Sequence, residues 1–349
     1  MNRVKLRKLF INITMPITFA RFASEAIGIA NQESYYPELE RKSKFARIRE
    51  NLYWLAKYKE PNTFYNLYGF DIKNYRIQSE YLDNYSFYLS RGDNNKIHNP
   101  ESQICLLRDK LLFYEFLKFN NFNTPEVIAL IKNKKVYDIT HNFIGDIALK
   151  YLKDYFIKER KGECASFVRH IKDYKEFEEV KNELVGSYIV QKRISQTEAT
   201  SLINSKSINT LRIVTIKKGD NYSIFSSLLR VGTNKSNYVD NWAAGGVAIG
   251  INDDGSLKEY GFYKPQYGTK ISKHPDSDIT FKDYKINHYD SIKNKALELH
   301  KCFDNVHSIG WDIAITESGP CFIEGNDNWE ISLMQACNEP LKKKWKELL

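Results

Sequence analysis

An α+β fold with largely antiparallel sheets, preceded by a mostly helical N-terminal region, is predicted from three observations. Short runs of β-branched and apolar residues recur from Val127 onward, separated by stretches with helical spacing. Turn clusters at Lys218-Gly-Asp-Asn221 and Asn252-Asp-Asp-Gly255 join neighbouring runs as hairpins, which implies antiparallel pairing. The order of elements also lacks the regular strand–helix alternation of a dinucleotide-binding fold.

The chain has 349 residues, 42% hydrophobic and 27% charged, a globular balance with room for two or three subdomains. Its net charge of +9 points to anionic partners: nucleotides, phosphorylated or acidic sugars, nucleic acid or a membrane surface. The basic residues are spread along the chain without an aromatic-and-basic RNA motif or a helix-turn-helix signal, so no nucleic acid is expected. Five cysteines (Cys105, Cys164, Cys302, Cys321, Cys337) form no C-x-x-C pair, and an odd count without a secretory signal favours a reducing, cytoplasmic compartment. The apolar stretch from Leu9 to Ala30 is interrupted by Pro16, Arg21 and Glu25, which favours a helix packed on its own domain over a peripheral membrane contact.

Residues 1 to about 100 read as mostly helical and rich in Tyr, Arg and Lys. A helix is expected from Glu101 or Asp109, because Leu111, Leu112, Tyr114, Phe116 and Leu117 form an apolar stripe that ends in the Asn120–Pro125 turn cluster. Strands are expected over 127–131, 155–158, 188–191, 212–217, 223–231, 247–251, 310–316 and 321–325. The segment from Tyr155 to Val168 reads as strand, loop, strand: Lys158 at the end of the first strand can reach a phosphate, and Gly162 lets the loop backbone come close to one.

Ile309-Gly-Trp-Asp-Ile-Ala-Ile-Thr316 and Pro320-Cys-Phe-Ile-Glu-Gly-Asn326 flank the turn Glu317-Ser-Gly319, giving a hairpin with a three-residue loop. In that register Thr316 faces Pro320, Asp312 faces Glu324, and Asn326 shares the face of Glu324. Opposed carboxylates destabilise a ladder unless a cation lies between them. Mg²⁺ suits such a set, since it takes one or two carboxylates and fills its other positions with water and phosphate oxygens. A metal–nucleotide site is therefore expected here.

Arg212 heads one strand, Arg230 ends the next, and Asp240-Asn-Trp-Ala-Ala-Gly-Gly246 forms the following loop. Guanidinium groups suit carboxylate or phosphoryl oxygens, and a glycine pair lets backbone N–H groups approach an anion. Taken singly, these residues read equally well as surface charges and an ordinary bend. No Gly-x-Ser-x-Gly elbow or Cys/His signature supplies a protein nucleophile, and His274 and His300 read as structural hydrogen-bonding residues.

Together, Asn209-Thr-Leu-Arg-Ile-Val-Thr215, Val239-Asp-Asn-Trp-Ala-Ala-Gly-Gly246, His274-Pro275, Ile309–Thr316 and Ile323-Glu-Gly-Asn326 resemble the ATP-grasp superfamily, and within it the sugar-transfer-associated ATP-grasp proteins. The resemblance covers roughly residues 100 to 340. It implies an ATP-grasp fold, two α+β subdomains clasping ATP: a helical region over 1–100, N-terminal and lid subdomains over 101–194, and a C-terminal subdomain with the metal site over 195–349. It implies ATP and Mg²⁺ as cofactors. Lys110 and Lys158 would contact phosphates, the hinge around Gln191, Lys192 and Ile194 would hold adenine, and Glu198 would bind ribose. Asp312, Glu324 and Asn326 would be metal ligands, with Arg212 and Arg230 stabilising a tetrahedral oxyanion. Two departures stand out: Lys192-Arg193 replaces an acidic hinge residue, and the glycine loop is short, with bulky Glu163 and Cys164.

The activity so implied is ATP-dependent carboxylate–amine ligation through an acyl phosphate, on a sugar or glycan precursor in polysaccharide biosynthesis, with small-molecule or glycan-precursor carboxylate and amine substrates. The alternatives are a kinase of the same fold acting on a hydroxyl, and a non-catalytic nucleotide- or nucleic-acid-binding protein.

Overall fold

The computed structural model describes residues 15–84, 86–87, 101–162, 167–234, 236, 240–338 and 340–349. Glu163, Cys164 and Val239 lie outside them. The N-terminal region opens with helices α1 (Met15–Asn31) and α2 (Lys44–Tyr58), the latter capped by Ser43, whose Oγ accepts the Ala46 N–H. Residues 61–76 then form a turn-rich segment in place of further helix, and bury Tyr65, Leu67 and Phe70 completely. Among the described residues no helix is long and apolar enough to cross a membrane.

Both expected helix starts are real. Helix α3 (Glu101–Arg108) ends where α4 (Lys110–Phe119) begins, and Asp109 between them caps α4, its Oδ1 accepting from the N–H groups of Leu111 and Leu112. Two antiparallel sheets follow. The first has the order β2-β1-β5-β3-β4, built from β1 (Val127–Lys132), β2 (Lys135–Tyr137), β3 (Tyr155–Glu159), β4 (Val168–Ile171) and β5 (Ser187–Lys192). The second has the order β10-β9-β8-β7-β6-β11-β12. Its strands are β6 (Thr210–Lys218), β7 (Asn221–Val231), β8 (Val247–Ile251), β9 (Leu257–Tyr263), β10 (Lys270–Ile271), β11 (Ser308–Thr316) and β12 (Gly319–Asn326). Strands β2, β9 and β10 were not foreseen. Two of them have only two or three residues, too few for an alternating pattern to register.

Alternation along the second sheet divides its apolar side chains between two cores. Leu211, Ile213, Trp311, Ile313 and Phe322 pack with helix α7 (Tyr289–Lys301) and with Leu107 and Phe113. Val214, Ile216, Phe225 and Leu228 pack with the N-terminal region and with helices α8 (Ile331–Cys337) and α9 (Lys342–Leu348). The N-terminal region is thus continuous with this core. Gln335 accepts the Leu82 N–H and donates to the Leu82 carbonyl (2.8 and 3.0 Å), and the Phe64 ring stacks on Trp242 with centroids 6.0 Å apart.

The β11–β12 hairpin corrects the expected turn. Thr316 pairs with Gly319, so the loop is the two residues Glu317 and Ser318, and Ile315 faces Pro320. A bulge between the Asp312 and Ile313 pairings then inserts Ile323, and beyond it Asp312 faces Glu324 as expected. The shorter loop and the extra residue compensate. Without the bulge, Glu324 would share the face of Phe322 and point into the core.

Candidate active site

A cavity of about 480 Å³ lies between the two sheets, lined by Lys110, Lys158, Gln191, Lys192, Ile194, Arg212, Arg230, Asp312, Glu324 and Asn326. Every sequence-predicted site residue but one is therefore brought together, in a volume typical of small-molecule sites. The exception is Glu198, the expected ribose acid. The Thr197 N–H donates to the Ile315 carbonyl, helix α6 (Glu198–Ile203) starts directly afterwards, and Glu198 is left exposed and off the cavity wall.

On the first sheet, Lys158 Nζ donates to Gln191 Oε1 at 2.7 Å. Burial lowers its pKa to about 8, helped by nearby Lys110 and opposed by Glu324. Lys110 Nζ donates to the Gly162 carbonyl at 2.7 Å, while its backbone N–H donates to the Arg160 carbonyl. Arg160 Nε meets both oxygens of the buried Asp109 (2.7 and 2.9 Å), fastening the stem of the glycine loop to the start of α4. At the hinge the Lys192 N–H is committed to the Glu126 carbonyl and cannot also serve a bound ring.

On the second sheet, Asp312 is the centre of a charged network. Arg212 lies directly across from it on β6 and makes a bidentate contact, Nε to Oδ1 at 2.5 Å and Nη2 to Oδ2 at 2.9 Å. Arg230 Nη2 approaches Asp312 Oδ2 at 3.1 Å and Asp240 Oδ2 at 3.3 Å. Thr210 Oγ1 accepts from Arg230 and donates to Asp240. Burial would raise the Asp312 pKa, but Arg212 and Arg230 hold it at about 2. Glu324 moves the other way, raised by burial and by the facing Asp312 carboxylate. Asn326 Nδ2 donates to Glu324 Oε1 at 3.2 Å.

These residues fit a divalent cation. A buried carboxylate pressed against another carboxylate holds a proton or needs a metal in its place, and Glu324 is in that position. Among the described residues no cluster of three or more His, Cys, Asp or Glu side chains forms a metal cage. The set is two carboxylates and an amide, the sparse oxygen set that suits Mg²⁺ completed by water and phosphates.

His274 and His300 stay structural. His274 Nε2 donates to the Gly232 carbonyl and its Nδ1 accepts the Asp276 N–H, while His300 bonds the Val306 carbonyl. Asp240, Thr210, Trp242 and Lys264 also line the cavity, and none was singled out beforehand. Asp240 and Trp242 stood inside a quoted motif, so spacing had marked their loop without giving them roles. That loop ends in Gly245, with φ +96°, and Gly246, where a Cβ would sit 2.8 Å from the Asp240 carbonyl oxygen. The glycines fold the loop tightly enough to place Asp240 on Arg230.

Several solved structures resemble this one. An L-amino acid ligase from Bacillus licheniformis has 14% identity and a TM-score of 0.40, the match covering 65% of this chain and 42% of that one. D-alanine–D-alanine ligase from Helicobacter pylori has 12% identity and a TM-score of 0.41, covering 70% and 60%. N5-carboxyaminoimidazole ribonucleotide synthetase from Thermotoga maritima has 16% identity and a TM-score of 0.39, covering 71% and 49%. The chain thus spans roughly half the length of these structures. No curated protein sequence matches it. Residues 91–347 match the family model described as sugar-transfer associated ATP-grasp, a family that works with ATP and Mg²⁺, and the chain belongs to that family.

Proposed function

We propose that the chain is an ATP-dependent carboxylate–amine ligase that activates an acid as its acyl phosphate and acts on a sugar or glycan precursor. The observation that carries this reading is the Asp312–Glu324 pair, two carboxylates facing each other in a cavity that Lys158 also lines, backed by two guanidinium groups. Residues 1–100 act in this reading as support for the C-terminal subdomain, 101–194 as the N-terminal and lid part, and 195–349 as the part that carries the metal ligands.

Asp312, Glu324 and Asn326 would hold Mg²⁺, which when bound neutralises charge on phosphoryl oxygens. Lys110 and Lys158 each rest on a protein acceptor, Gly162 O and Gln191 Oε1, and both acceptors lie on the cavity wall. Turning from those acceptors to phosphate oxygens exchanges neutral hydrogen bonds for charge-assisted ones. Arg212 and Arg230 present positive charge where an acid would approach, and later to the oxyanion formed when an amine adds to the activated carbonyl. The carboxylates beside them, Asp240 and Asp312, serve as their counter-ions. A carboxylate nucleophile calls for cations around it, and Arg212 and Arg230 supply two on this wall.

The test is Mg²⁺-ATP turnover against a panel of uronic acids, nucleotide sugars and amino acids, with ADP, free phosphate and product mass scored together. ADP with free phosphate and a condensed product, dependent on both an acid and an amine, is expected. A product heavier by one phosphoryl group without free phosphate would replace the ligase by a kinase.

A further inference from the structure

We infer that the end of the cavity beside Lys264 is the acid's binding subsite and that the acid carries a second anionic oxygen group, held by Lys264 against the Trp242 ring. The inference rests on the ligase reading for the position of the reacting carboxylate and adds the chemistry at the acid's other end.

Lys264 directly follows β9, is half-buried and lines the same cavity as the metal ligands. Its ammonium lies 5.9 Å from the centroid of the Trp242 ring. Among the described residues no carboxylate pairs with it. Along the same stretch Lys273 meets Asp278 at 2.6 Å, Lys285 meets Asp254 at 2.8 Å and Lys270 meets Glu38, while Lys258 and Lys282 have no ion pair among the described residues and lie off the cavity wall. The other cations of the cavity have partners or a role: Arg212 and Arg230 meet Asp312 and Asp240, Lys192 lies 3.5 Å from Glu126, and Lys110 and Lys158 serve the phosphate end in this reading. Lys264 is left with its charge facing the cavity.

The Trp242 platform beneath it is fixed from three directions. The indole N–H donates to the Phe262 carbonyl at 2.9 Å, Phe64 stacks on the ring at an interplanar angle of 12°, and Asn241 caps the 3₁₀ turn that carries it. Trp242 is itself buried, so it serves as a fixed wall that positions the Lys264 ammonium, and the ammonium suits a ligand that is anionic at one end. Arg230 lies on β7 and Lys264 follows β9, two strand spacings or about 10 Å across the sheet. That spacing separates the backbones, and both long side chains line the same cavity, so the acid's two anionic groups can lie closer together than this and still meet both cations.

The full chain, saturated with Mg²⁺ and a non-hydrolysable ATP analogue, is titrated separately with inorganic phosphate, succinate and acetate, and binding is followed by calorimetry. Phosphate or succinate should bind more tightly than acetate. Lys264→Gln should weaken the tighter of the two about tenfold or more while leaving acetate unchanged, and Lys264→Arg should restore it. Preference for phosphate identifies a phosphoryl group, and preference for succinate a second carboxylate. Equal affinities in wild type and Lys264→Gln, or no anion binding by wild type, would overturn the inference. Failure of wild type to bind the analogue would overturn the ATP-site reading instead, and the same titrations without analogue would still decide the role of Lys264. Binding of the analogue by Lys264→Gln reports that the variant is folded.

Discussion

Replacing Glu324 by Gln separates the metal role of this residue from its structural one. Two unit charges about 4 Å apart repel by roughly 4 kcal/mol at an effective dielectric constant of about 20. Burial and the facing Asp312 carboxylate both raise the Glu324 pKa, so the charged form of Glu324 is disfavoured here. Glutamine reproduces the protonated carboxyl in volume, can donate to Asp312 and can still accept the Asn326 amide. Thermal unfolding should therefore change by no more than about 1 kcal/mol in either direction, well inside the spread of conservative substitutions. Function should respond quite differently, because an amide cannot lose a proton to become an anionic ligand. A loss of at least about 100-fold in Mg²⁺-dependent ATP turnover is expected, the scale on which removal of one electrostatic stabiliser acts. The assay pairs a thermal melt with turnover across a Mg²⁺ titration. Wild-type turnover at ordinary Mg²⁺ by a variant with an unchanged melt would refute the assignment of Glu324 as a metal ligand.

Nucleotide affinity should fall as pH rises through about 8, because Lys158 carries its charge below that value and loses it above. Analogue binding measured from pH 7 to 9 should show this slope in wild type and lose it in Lys158→Met, whereas a flat wild-type profile would remove Lys158 from the phosphate site. Arg230→Met should destabilise the fold by about 2 kcal/mol or more, since it removes the counter-ion of half-buried Asp240 and one of the two guanidinium groups on buried Asp312, and chemical denaturation would read the loss. A variant as stable as wild type would mean that Asp240 is neutral in the folded protein. Phe64→Ala should lower stability by about 3 kcal/mol and, by loosening the Trp242 platform, raise KM for the acid more than KM for ATP. Equal changes in both constants would confine Phe64 to a packing role.

Alternation and turn chemistry made most of the second sheet legible. Strands β6, β7, β8, β11 and β12 are long, and their expected spans differ from the observed ones by a few terminal residues. The opposition of Asp312 and Glu324 was legible too, although the expected route to it was wrong: a three-residue loop without a bulge and a two-residue loop with one place the same residues opposite each other. Local sequence cannot separate these, since either satisfies the apolar pattern near the turn. The Arg212–Asp312 pairing was hidden because it joins strands 100 residues apart in sequence. Lys264 and Trp242 were hidden for the same reason, their significance arising only where β9 and the 241–246 loop meet. The turn-rich 61–76 segment carried neither periodicity, because its aromatic residues pack irregularly against a distant sheet.

The extra residue in β12 gives the hairpin one residue of slack on the strand that carries Glu324 and Asn326. Deleting Ile323 would remove the bulge and leave Ile313 facing Phe322 and Asp312 facing Glu324 in a regular ladder, with Glu324 still on the face opposite Phe322. Adding a residue between Glu317 and Ser318 would lengthen an exposed loop and leave the pairing beyond it untouched. A homologue lacking the residue at 323 can therefore keep the same candidate metal ligands, whereas regular pairing of Ile323 with Asp312 would turn Glu324 toward the core.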